Sequence, residues 1–142
     1  MIREKLNRLP ADWNIRVFTE QDFFDHCTAG GIRVIEADFQ LEGAYCVYDQ
    51  QPLIFLRRSL PYPRRLFVAF HELAHHWLHY PGMQFFLNTH CKIELEAHLV
   101  AVCALIPWPL LRDRPLWEIG EEYGYSGELL RFRAEIWERW DY

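Results

Sequence analysis

The sequence predicts an α+β protein: a small antiparallel or mixed sheet of about three strands packed on a helical core, with a helix pair near the C-terminus. Three observations carry that expectation. Apolar residues recur at three- and four-residue spacing from Arg64 to Tyr80, and a second apolar stretch runs from Lys92 to Ile106, as in buried helices. Short β-prone runs bounded by turn residues lie ahead of both. A chain of 142 residues that is 51% hydrophobic is long enough to bury a core without disulfides or metal as its main support.

The elements follow in order. Thr19 precedes Glu20, Gln21 and Asp22, which places a capping hydroxyl and acidic residues at a helix start. Phe23, Phe24 and Cys27 form its apolar side, and Gly30-Gly31 stops it. Ile32 to Phe39 reads as a strand. Ala44–Tyr48 and Leu53–Leu56 flank the turn-rich Asp49-Gln50-Gln51-Pro52 and read as a β-hairpin, with Pro52 at a strand boundary. The helix from about Arg64 to Tyr80 buries Leu66, Phe70, Leu73 and Trp77 and ends at Pro81-Gly82. The next, from about Lys92 to Ile106, carries small or aliphatic Ala97, Val100, Ala101, Ala104 and Leu105 and closes at Pro107-Trp108-Pro109. Helices near Pro115–Tyr123 and Gly127–Trp140 meet at a Gly124–Gly127 joint, with Ser126 as N-cap. Residues 1–142 form one domain in this reading, with 1–16 an N-terminal extension and 115–140 the C-terminal helix pair.

Composition narrows the function. The net charge is -5, with both signs scattered along the chain. No basic stripe supports direct nucleic-acid binding. Cys27, Cys46, Cys91 and Cys103 contain no C-x-x-C pair, and the N-terminus lacks the apolar core of a signal peptide. Reduced cysteines in a cytoplasmic protein are the expectation. No apolar run has the length of a membrane span.

The chemistry lies in His71-Glu72-Leu73-Ala74-His75, an intact H-E-x-x-H. On a helix, positions i and i+4 share a face, so His71 and His75 can present two imidazoles to one ion. Glu72 stands beside them, placed to take a proton from a metal-activated water. A catalytic zinc generally has three protein ligands and one open position. The candidates for the third are Glu94, Glu96, His90, Cys91 and His98. Glu94 and Glu96 point about 200° apart on a helix and cannot both face one metal. Helix phase favours Glu96, which shares a side with Ala97, Val100 and Cys103. Glu94 remains the alternative, with His98 one turn further on as its partner. His76 and His79 fall off the metal-facing side in this reading, and His26 receives no role.

Three stretches resemble the ImmA/IrrE family of zinc metallopeptidases. Ala44–Asp49 with Pro52–Leu56 is similar to the family's strand–turn–strand. Leu60-Pro61 and Arg64 through His79 are similar to its R-R-F-T-x-A-H-E-L-G-H-x-x-L-H. Glu96-Ala97-His98 through Pro107 resembles E-A-N-x-F-A-A-x-L-L-M-P. The tail, Trp117–Gly120 through Tyr125-Ser126, is similar to the family's final helix pair. Ala74, His98 and Val100 depart from the usual Gly, Asn and Phe without removing a catalytic group. The resemblance implies a zincin-like helical core and a metal set of His71, His75 and Glu96, with Glu72 as catalytic base. Family members often carry a preceding helix-turn-helix domain, which is not expected here.

The function expected is that of a zinc-dependent endopeptidase. Manganese or iron also suits a His₂Glu site. The partner is a protein substrate which, by resemblance, is a helix-turn-helix transcriptional repressor of a phage, mobile element or stress regulon. Two other readings have their own signatures. A non-catalytic, metal-containing antitoxin or regulatory subunit would not need Glu72. A deformylase-like hydrolase would need a ligand strand of the Glu-Gly-Cys-Leu type, which is absent.

Overall fold

The computed structural model describes residues 2–80 and 91–142. Among them the chain forms α1 (Ile2–Leu6), α2 (Glu20–Ala29), β1 (Arg33–Ala37), β2 (Gly43–Tyr48), β3 (Gln51–Arg57), α3 (Arg64–His79), α4 (Cys91–Leu105), α5 (Trp108–Asp113), α6 (Leu116–Tyr123) and α7 (Gly127–Trp140). This is the α+β architecture expected, with α6 and α7 as the C-terminal pair. Pro81-Gly82 and His90, named above as a helix stop and a candidate ligand, lie outside the described residues.

Thr19 caps α2 as its sequence suggests. Its hydroxyl accepts from the Asp22 N–H at 3.2 Å, and the Asp22 carboxylate accepts from the Thr19 N–H at 2.7 Å. Two donors that the first helical turn leaves open are thereby satisfied. Phe23 and Cys27 of this helix enter the core.

The sheet is three-stranded and mixed, in the order β1-β3-β2. Strands β1 and β3 run parallel from Arg33↔Leu53 to Ala37↔Arg57. Strands β2 and β3 form the antiparallel hairpin, from Gly43↔Leu56 to Tyr48↔Gln51. Its turn is tighter than the sequence suggested. Asp49 and Gln50 both adopt positive φ, 50° and 65°, as in a two-residue hairpin loop, so Gln51 and Pro52 join β3. Pro52 is tolerated in this central strand because pairing with β1 begins one residue later, at Leu53.

Helix α3 is buried almost continuously from Leu66 to His75, with the hairpin strands against it and α4 packed along it. A helix apolar around most of its circumference belongs inside a core. In α4, Ala97, Val100, Ala101, Val102, Cys103 and Ala104 are all fully buried, and the alanines let the two backbones approach closely. Trp77, expected in the buried stripe of α3, is only partly covered, and Leu78 takes the interior place.

Two short helices escaped the sequence reading. Helix α5 follows Pro107 at once, with Pro109 in its first turn, where a missing N–H costs nothing. Helix α1 lies within the segment taken as an extension. The C-terminal end is tied down by Arg133, whose guanidinium is fully buried. It donates to the carbonyls of Ile106 at 2.6 Å and Tyr142 at 2.7 Å, and to Asn14 Oδ1 at 3.3 Å.

Candidate metal centre

The H-E-x-x-H segment sits in the middle of α3, where helix periodicity puts His71, His75 and His79 in one row. The imidazoles of His71 and His75 meet nearly at right angles, with ring centroids 4.9 Å apart. Both face the first turn of α4. There the Glu94 carboxylate lies between them, with Oε2 3.0 Å from His71 Nε2 and Oε1 3.0 Å from His75 Nε2.

Glu96, favoured on helix phase and on resemblance, stands elsewhere. Its Oε1 lies 3.0 Å from His79 Nε2 and 2.9 Å from Lys5 Nζ of α1. The phase argument correctly placed Glu96 among buried residues and Glu94 nearer the surface. It did not separate which of the two carboxylates lies against the imidazole pair, a matter of how the first turn of α4 sits on the histidine row. The half-exposed carboxylate is the one that reaches the imidazole pair, while the buried one is matched to a different histidine.

His79 is the residue that sequence reasoning passed over. Its side chain is only 5% exposed, and its Nδ1 lies 3.0 Å from His75 Nδ1. The signal was available: His79 continues the i, i+4 spacing of His71 and His75. His76 does point away, with its Nδ1 2.8 Å from the Tyr45 hydroxyl.

His98 lies at the same centre. Its ring is perpendicular to that of His71 at 4.5 Å between centroids, and ligand-type atoms of His71, Glu94 and His98 all lie within 4.8 Å of one another. Its Nδ1–H donates to the Glu94 carbonyl at 2.9 Å, which leaves Nε2 as the bare nitrogen of the neutral ring. Cys91, another candidate, is exposed at the start of α4.

Electrostatics match this arrangement. Burial lowers the His71 pKa to about 4, so its ring is neutral near pH 7 and keeps a lone pair for a metal. Hydrogen bonds from His71, and then from His75, hold the Glu94 carboxyl well below the usual carboxylate range. Glu72 is 8% exposed, and burial, with the Glu94 charge adding to it, pushes its carboxyl up to about 8.

The donor set fits a divalent ion of the zinc type. Two imidazoles reach one carboxylate, His98 offers a ligand atom within 4.8 Å of those of His71 and Glu94, and His71 Nδ1 is buried without a hydrogen-bond partner, so nothing on the protein side competes to define that ring. Neutral imidazole and carboxylate are the ligands that zinc, manganese and ferrous iron accept.

The family model described as the IrrE N-terminal-like domain, a peptidase family, matches residues 27–135. The matched span runs from the end of α2 into α7 and contains the whole histidine row and both glutamates of α4. No curated protein and no solved structure matches the chain significantly.

Proposed function

Because this chain belongs to the peptidase family of the IrrE N-terminal-like domain, we propose that it is a zinc-dependent endopeptidase. His71, His75 and Glu94 hold the metal, and Glu72 is the general base. The observation that carries the ligand set is the Glu94 carboxylate, whose two oxygens lie 3.0 Å from the Nε2 atoms of both motif histidines. His98 belongs to the surroundings of this set, its ring held by the Glu94 carbonyl. Manganese or iron suits the same donors.

Zinc in this set supplies Lewis acidity towards a water and a peptide carbonyl. Glu72 does the proton work. Its carboxyl is buried next to His71, and its raised pKa lies close to the pH at which it must both accept and release a proton. It takes the proton of the attacking water and delivers it to the leaving amine. His71 keeps its position through burial, and Glu94 through its contacts with the two imidazoles.

The substrate enters as an extended segment. Strand β2 is an edge of the sheet, and it passes directly beside Glu72 at Gly43. A peptide pairing with that edge gains main-chain hydrogen bonds with little demand on sequence. On family resemblance, the segment belongs to a helix-turn-helix transcriptional repressor. The proposed setting is the cytoplasm, in keeping with four free cysteines; among the described residues no helix is long and apolar enough to cross a membrane.

The test is direct. Zinc-loaded protein is incubated with the repressor encoded beside its gene, and any fragments are mapped by mass spectrometry. The expected result is discrete cleavage, abolished by chelator and by Glu72→Gln. Metal bound without any cleavage would move the assignment to a non-catalytic binding partner.

A further inference from the structure

The two ends of the His75 ring meet different neighbours. Nε2 faces Glu94, while Nδ1 lies 3.0 Å from His79 Nδ1. His79 Nε2 in turn lies 3.0 Å from Glu96 Oε1, and that same oxygen takes Lys5 Nζ at 2.9 Å. The row is secluded: the side chains of His75, His79 and Glu96 are 2%, 5% and 5% exposed. It joins α3 to both α4 and α1.

We infer that His79 and Glu96 form a positioning relay that fixes the tautomer and orientation of His75 for metal binding. This rests on the ligand set proposed above.

The order of protons along the row follows from the chemistry of each atom. A metal at His75 Nε2 needs the lone pair there, so the ring proton sits on Nδ1. The neighbour of Nδ1 must then accept, which makes His79 Nδ1 bare and puts the His79 proton on Nε2. That proton meets Glu96, a carboxylate and therefore an acceptor, and Lys5 balances its charge. Every link along the row has one donor and one acceptor, and Glu96 Oε2, outside the row, is buried without a partner. An outer carboxylate reaching a metal-binding histidine directly is a common way to fix its ring; here a second imidazole is interposed. His71 has no such support, since its Nδ1 is buried without a partner. Ring orientation at the centre is thus anchored through His75. The arrangement also gives Glu96, a buried acidic residue on an apolar helix, a reason to be there other than ligation.

Zinc affinity measured by competition with a chromophoric chelator tests the relay without depending on activity. His79→Phe fills the space but offers no acceptor, whereas His79→Gln keeps one. Both are compared with wild type after circular dichroism shows matching folds. The expectation is a loss of about 10–100-fold for His79→Phe, with His79→Gln recovering most of it and Glu96→Gln falling between. Wild-type affinity in His79→Phe would overturn the relay, as would equal losses in the Phe and Gln variants, because simple packing would not tell them apart. Imidazole nitrogen NMR of zinc-loaded wild type gives a reading independent of any variant. A proton on His79 Nε2 with Nδ1 bare is expected, and a proton on His79 Nδ1 would refute the inference. Failure of wild type to take up metal would overturn the proposed function and the relay together, whereas normal uptake with indifferent variants would overturn the relay alone.

Discussion

Gly43 of the edge strand lies against Glu72: a Cβ added there would meet Glu72 Cγ at 3.2 Å and Val68 Cγ1 at 2.6 Å. Bare backbone passes this close to the carboxyl only because residue 43 has no side chain. Gly43→Ala is expected to push β2 away from α3, costing about 1–3 kcal/mol of stability through overpacking. It should also lower kcat of any cleavage. Denaturant titration and steady-state kinetics check both, and an unchanged kcat would count against β2 as the substrate-bearing edge.

Glu72→Gln removes the proton carrier but none of the donors that reach Glu94. Zinc content measured on the purified protein should match wild type, while the rate of cleavage falls by about 10²–10⁴-fold. A variant that still cuts at near wild-type rate would remove Glu72 from the mechanism.

Two buried groups give the metal-free protein opposite pH limbs. Glu72 rises from an ordinary 4.5 to about 8, so the folded chain holds a proton that the unfolded chain has released. Its contribution to stability is complete below pH 4.5 and is lost as pH rises through 8. His71 falls from 6.5 to about 4, so the unfolded chain takes up the proton first. Its contribution is complete above pH 6.5 and is lost as pH falls towards 4. Urea unfolding of the chelated protein across pH should therefore show Glu72→Gln gaining about 2–4 kcal/mol on wild type at alkaline pH. Parallel curves for the two proteins would contradict the burial argument.

The choice between Glu94 and Glu96, and between His75 and His98, is open to metal titration. Glu94→Ala and His75→Ala should each cost more than the roughly 10–100-fold of an outer-shell loss. His98→Asn, which can retain a bond to the Glu94 carbonyl, should keep most of the affinity. A His98→Asn variant that binds no zinc while His75→Ala still does would transfer the place of His75 to His98.

Arg133 bonds Ile106, Tyr142 and Asn14 and none of the residues of the centre, and gives a control. Arg133→Met leaves the carbonyls of Ile106 and Tyr142 without their donor, at a cost of about 1–3 kcal/mol. Thermal unfolding should report that loss, with zinc affinity unchanged.

Much of the architecture was legible because its signals are local. The Thr19 cap, the apolar period of α3 and the Ser126 start of α7 each act within a few residues, and all appear where the sequence put them. His71 and His75 were legible as a pair for the same reason, since i, i+4 spacing is a property of one helix. Which glutamate of α4 lies against that pair was not. Whether Glu94 or Glu96 meets the pair depends on the angle at which α4 crosses α3, a relation between distant segments that no helical period encodes. His79 was placed off the metal-facing side together with His76, although the four-residue step from His71 and His75 continues to it and only His76 turns away. Helix α5 was lost because two prolines were read only as a stop, whereas the second stands in the first turn of a new helix.

The row His71, His75, His79 has a consequence for how this chain can change. All three side chains depend on one uninterrupted count along α3, and that stretch is also walled into the core from Leu66 to His75. A single inserted or deleted residue between positions 71 and 79 would turn everything beyond it by about 100°. It would carry part of the row off its face and rotate Leu78 out of the interior at the same stroke. Substitutions can be absorbed one residue at a time, but length within this helix cannot vary, so lineages of this protein should differ in the residues of α3 and never in its count.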